Sequence, residues 1–240
     1  MSTPEMTSAV ATSSAARDAR SPGRLGRMLA GTSLAWVACA LATAVASELG
    51  RPGRVDMIGP TFSELIFTGL GARLVGITML ALAFASVCVV FALIDGRAPA
   101  DRLSLTFIAA WTIGLVLAAI FPMTPVGAPP VWYDALHRYV ALAGLVCLPL
   151  AGLRLARGFR ADPGWQRLAA PVRVLSAASL VGVAAFLCTF IPVDDPVWLL
   201  GARQYSGITE RVPLAANTLL LATLGAALRR RARPGPESMP

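Results

Sequence analysis

The sequence predicts an all-α protein, a polytopic transmembrane bundle of six helices with both termini on the cytoplasmic side (N-in/C-in). Three observations carry that expectation. Apolar residues make up 56% of the 240 and charged residues only 14%, where a soluble domain is roughly a quarter charged. Six apolar runs approach the length needed to cross a bilayer, with charges at their ends and none in their interiors. The arginines between the runs are unevenly shared between the two faces.

Residues 1–27 are rich in Ser, Ala and Thr, carry Arg17, Arg20, Arg24 and Arg27, and lack apolar periodicity. Such a segment cannot bury enough surface to offset its ordering entropy, so a disordered cytoplasmic tail is expected. The first span is 28–47, about 20 residues long. Ala44-Val45-Ala46 looks like a signal-peptidase site, but the run is long for a signal peptide and five more follow, so it reads as a retained helix. The other runs are 74–94, 103–121, 136–153, 174–192 and 212–228, giving a membrane domain over 28–228. Residues 229–240 form a basic cytoplasmic tail in which Pro234-Gly235-Pro236 stops any helix.

All 21 basic residues are arginine, and the net charge is +8. With the N-terminus inside, fifteen arginines face the cytoplasm and six the exterior, as the positive-inside rule requires. This predicts a multi-pass protein of the inner (cytoplasmic) membrane. The arginines lie in short segments between apolar runs, not clustered on one face, so they set topology and give no nucleic-acid surface. The stretch 154–173 reads as a basic, amphipathic surface loop attracted to anionic lipid. Trp132, Tyr133, Tyr139, Trp198 and Tyr205 fall at the outer connectors, where an interfacial belt belongs.

Cys39, Cys88, Cys147 and Cys188 sit in four different runs with no metal-ligand spacing, so neither disulfide nor zinc site is read from them. No Walker loop, G-x-S-x-G elbow, H-E-x-x-H or dinucleotide fingerprint occurs. That counts against an ATP-driven pump and the commoner membrane hydrolases and metalloproteases. No metal or cofactor is expected.

The chemistry-bearing residues gather in the outer connectors. Thr61-x-x-Glu64 is a capping box at the start of a short helix, whose apolar face (Phe62, Leu65, Ile66, Leu70) would dip into the interface. His137 is the single histidine; it can handle protons or ligate, or simply bond a connector. Arg138 follows it. Asp194-Asp195-Pro196 reads as turn chemistry or as a carboxylate pair able to bind a cation. Glu210 suits the positive end of the last helix. Arg211 does not, and needs a partner such as Asp194, Asp195, Glu64 or an anionic headgroup. Glu64, His137 and Glu210 are each 73 residues apart, which hints at three helix hairpins opening outward.

The segments Thr61-Phe62-Ser63-Glu64, Ala119-Ile120-Phe121-Pro122, Leu136-His137-Arg138 and Gly207-Ile208-Thr209-Glu210-Arg211 occur in this order. By them the chain resembles the bacterial and archaeal membrane proteins grouped as domain-of-unknown-function family 998, over residues 28–228. It departs from that family at Met123-Thr124, where an acidic residue is expected after Pro122. The resemblance implies a six-helix integral membrane protein whose activity is not established.

The expected function is therefore recognition or movement of a small-molecule or lipidic ligand through an outward-facing polar vestibule. Glu64, His137, Arg138, Asp194, Glu210 and Arg211 would line it, with membrane lipid as the surrounding partner. The alternatives are an intramembrane enzyme acting on lipid headgroups, with His137 as base and Glu64 or Asp194 orienting it, and a membrane scaffold or assembly subunit. Catalytic residues and oligomeric state are not readable. A reporter fused after Arg233 should report a cytoplasmic location; an exterior location contradicts the orientation.

Overall fold

The computed structural model describes residues 23–50, 58, 61–67, 69–124, 129, 131–189 and 204–231. Six helices account for nearly all of them: α1 (Arg24–Leu49), α2 (Gly69–Asp95), α3 (Arg102–Ile120), α4 (Trp132–Ala161), α5 (Gln166–Cys188) and α6 (Ser206–Arg231). All six are long and apolar enough to cross a membrane, and no strand occurs among the described residues. A short 3-10 turn, Ser63–Phe67, precedes α2. The tails, most of the 51–60 and 125–130 connector segments and the 190–203 connector lie outside the described residues, as do Asp194, Asp195 and Trp198.

Each helix packs on its neighbours in sequence, and α1 packs on α6, so the six close into a ring. Successive helices run antiparallel. The start of α1 and the end of α6 therefore share one end of the bundle, with the short connections α2–α3 and α4–α5. That end carries most of the arginines and is tied by carboxylates. Asp95, the last residue of α2, accepts from the Gly23 and Gly26 amides at 2.8 and 3.0 Å, capping the exposed N–H groups of α1. Asp101 caps α3 through the Ser104 amide at 2.9 Å and also accepts from Arg154 Nε at 2.8 Å. The Arg154 guanidinium holds the Asp101 carboxyl well below the usual carboxylate range.

The helices outrun the apolar stretches, and the 154–173 segment is not a surface loop. α4 continues to Ala161 and α5 begins at Gln166. The reason is helical register: Leu148, Ala151, Leu155 and Phe159 continue one buried stripe at three- and four-residue spacing, while Arg157 and Arg160 stay exposed. Trp165 in the connection is buried, stacks on Phe159 with ring centres 5.0 Å apart, and carries the Arg231 guanidinium 4.0 Å above its ring. The apolar turn around Leu65 also differs from an interfacial helix. Phe62 and Leu65 are buried against Val75 and Leu214 inside the bundle, whereas Leu70 belongs to α2 and is exposed.

Within lipid, every backbone polar group must find a partner in the protein. Pro149 inside α4 has no N–H to donate to the Leu145 carbonyl. Asn217 of α6, the only asparagine in the chain, donates to that carbonyl at 3.4 Å and accepts from the Ser179 hydroxyl at 2.9 Å. Trp111 of α3 is anchored in the same way, donating to Ser86 of α2 at 3.0 Å.

Glycines permit the closest approaches. A Cβ at Gly158 would stand 2.2 Å from the Pro99 carbonyl oxygen, whereas at Gly31 or Gly76 it would meet nothing within 4 Å. Gly158→Ala should therefore destabilise the protein by about 1–3 kcal/mol. Gly76→Ala should be neutral or stabilising by up to about 1 kcal/mol. Denaturant titration of the protein in detergent distinguishes the two, and equal effects would contradict the packing described.

Candidate functional site

The end of the bundle opposite the arginines holds a cavity of about 410 Å³ between α1, α2, α3, α4, α6 and the 3-10 turn. Ligand pockets commonly fall between roughly 300 and 1,000 Å³. Its depth is set by α6, whose wall residues run from Glu210 to Thr218, two turns or about 12 Å at 1.5 Å per residue. The wall is predominantly apolar: Ala40, Ala44, Met79, Leu82, Trp111, Leu115, Ala118, Val140, Leu145 and Leu214 contribute to it. Gly114 of α3 and Gly144 of α4 face each other there; a Cβ at Gly114 would lie 2.9 Å from the Val140 carbonyl. Their missing side chains bring the two helices together and leave the cavity open beside them. Leu41, Val45 and Leu49 of α1 belong to the wall and are also exposed, so it continues to the flank of the bundle.

One end of this cavity is polar, and it is built where the first and last helices meet. Glu48 lies in the last turn of α1 and is buried, at 7% exposure. Its Oε1 accepts from Arg211 Nε at 2.8 Å and from an Arg211 Nη at 2.5 Å. Side-chain exposures of 13% for Arg211 and 9% for Glu48 make this a largely desolvated pair. Glu210, one residue earlier, turns the other way. It accepts from the amides of Phe62 and Ser63 and from the Ser63 hydroxyl at 2.7 Å, so it caps the 3-10 turn. Glu48, Ser63, Glu210 and Arg211 all line the cavity.

The remaining residues singled out in the sequence are placed elsewhere. Glu64 realises its capping box, accepting from the Thr61 amide at 2.8 Å while the Glu64 amide donates to the Thr61 hydroxyl at 3.3 Å. His137 is buried on α4. Its Nδ1 faces two carbonyl oxygens, Phe121 at 2.7 Å and Ala118 at 3.1 Å. Carbonyls only accept, so Nδ1 carries the proton and caps the end of α3. Nε2 is buried without a partner among the described residues. Arg138 is exposed and pairs with Asp134 at 2.7 Å, and Asp134 in turn accepts from the Thr124 amide at 3.1 Å. None of Glu64, His137 and Arg138 contributes to the cavity wall, and Asp194 lies outside the described residues. The spacing of 73 residues thus joins three positions with three different local tasks.

Glu48, Ser63 and Asp134 were not anticipated. Asp134 was detectable as the acidic residue four before Arg138. Glu48 was detectable as an acidic residue closing an apolar run, on the face where Arg211 lacked an assigned partner.

A model of the family described as protein of unknown function (DUF998) matches residues 30–227. No curated protein and no solved structure matches the chain.

Breaking a buried pair by removing one partner leaves an uncompensated charge. Arg211→Ala should therefore cost about 3 kcal/mol of stability, and Glu48→Ala combined with Arg211→Ala should cost less than Arg211→Ala alone. Unfolding measured in bicelles for both variants tests this; a double variant worse than the single one contradicts the pairing.

Proposed function

The chain belongs to the DUF998 family, whose description assigns no function, and we propose that it binds an amphiphile from the surrounding membrane. The apolar part of the ligand lies in the cavity between α1, α3, α4 and α6. Its head meets the polar end at Glu48, Ser63, Glu210 and Arg211. The single observation supporting this reading is the form of the cavity, an apolar wall about 12 Å deep closed by one polar end. Because the wall reaches the flank of the bundle at Leu41 and Val45, a chain can enter sideways from lipid. With the arginine-rich end in the cytoplasm, as the positive-inside rule predicts, the polar end belongs to the outer leaflet of the cytoplasmic membrane.

Recognition or carriage of a lipidic ligand fits this arrangement better than chemistry on a headgroup. A general base must reach the proton that it removes. The nitrogen of His137 left to act as a base is Nε2, and the residue stands outside the cavity wall. Glu64 is committed to its own capping box. Neither ring nitrogen of His137 bonds a carboxylate.

Trp111 lies in the cavity wall and is 1% exposed, which makes it a reporter. In a variant that keeps Trp111 and carries Phe at Trp36, Trp132, Trp165 and Trp198, brominated phospholipid should quench the fluorescence. Adding Ala44→Leu and Ala141→Leu, two half-buried wall positions, should remove most of that quenching while the protein stays folded. Equal quenching in filled and unfilled variants would contradict occupancy of the cavity.

A further inference from the structure

The polar end also selects the head group that it takes, an inference that rests on the reading just given. Among the described residues its charged members are Glu48, Glu210 and Arg211, two carboxylates to one guanidinium. Arg211 already donates twice to Glu48 Oε1. Glu210 is satisfied by the Phe62 and Ser63 amides and the Ser63 hydroxyl. Glu48 is the exception: its Oε2 is buried and has no hydrogen-bond partner among the described residues, although a buried polar atom ordinarily has one. The residue also stands in the last turn of α1, where unpaired helix carbonyls make the end negative and no basic residue of that turn offsets it.

An anionic head beside Arg211 would face two carboxylates, Glu48 and Glu210. A head that donates hydrogen bonds and carries positive charge meets an acceptor still lacking a donor and balances the excess carboxylate. We infer that the ligand is an amphiphile whose head is a protonated amine, with an ammonium hydrogen donated to Glu48 and the apolar chain lying along the cavity. Such an amine comes either from a bilayer lipid or from a free alkylamine, and the same chemistry recognises both.

The test uses the full-length protein that retains only Trp111, in detergent micelles at neutral pH. It is titrated with terminally brominated dodecylamine, dodecanol and dodecyl phosphate, and with a phosphatidylethanolamine brominated in one acyl chain. Dodecylamine or the phosphatidylethanolamine should half-quench at about a tenfold lower concentration than dodecyl phosphate, the scale of one charge-assisted hydrogen bond. Whichever of the two amines does so identifies the source. Glu48→Gln should abolish the gap. Dodecyl phosphate binding as tightly as the amines, or dodecanol matching them, overturns the inference and leaves occupancy of the cavity standing. Quenching by none of the four probes overturns both. The order of the probes on the protein with Glu48 intact decides the matter even where Glu48→Gln does not fold.

Discussion

The ion pair between Glu48 and Arg211 is the interaction on which the upper half of the bundle depends. It joins the first helix to the last and so closes the ring where no turn connects them. Both side chains are largely withdrawn from solvent, so neither is tolerable alone: removing one partner of such a pair leaves the other charge buried without compensation. Arg211 stands near the start of α6, the positive end of that helix, and Glu48 near the negative end of α1. Each is therefore disfavoured by its own helix dipole and stabilised by the other. Placing Glu210 beside Arg211 divides the work, because successive helical residues point about 100° apart. One residue holds α1 and the other holds the 3-10 turn that roofs the cavity.

Below that pair, the interior is shaped by what lipid does not allow. Backbone groups freed by a proline must be met from within, and the Asn217 amide does this for the Leu145 carbonyl four residues before Pro149. The close packing of α3 on α4 at Gly114 and Gly144 leaves room on the cavity side that a larger side chain would occupy. The cavity is in this sense a consequence of small residues at one level of the bundle, with polar closure at the level above. The opposite end is consolidated differently, through Asp95 and Asp101 capping helices and Arg231 lying over Trp165.

The number of spans was legible because apolar runs bounded by arginine have one physical reading. The helix ends were less so, since charged residues end a hydrophobic run without ending a helix; α4 passes through Arg154 and Arg157 because its buried stripe goes on to Phe159. Of the candidate site, Glu210 and Arg211 were singled out from their position at a membrane boundary, and Arg211 was read as needing a partner, with Asp194, Asp195, Glu64 or an anionic headgroup named and Glu48 not among them. Which carboxylate could not be read, because Glu48 lies 163 residues earlier and only the closure of the ring brings the two together. His137 drew attention as the single histidine, yet its ring serves the end of α3, a task that follows from how α4 folds back and not from composition. The cavity has no sequence signature at all, being lined largely by the same Ala, Gly and Leu that fill any span.

The most direct measurement is native mass spectrometry of the full-length protein released gently from its own membrane, compared with the variant carrying Ala44→Leu and Ala141→Leu. The expected result is a single retained amphiphile on the unaltered protein, lost from the filled variant. Bare protein in both cases, or the same bound species in both, would contradict a cavity that holds a membrane ligand.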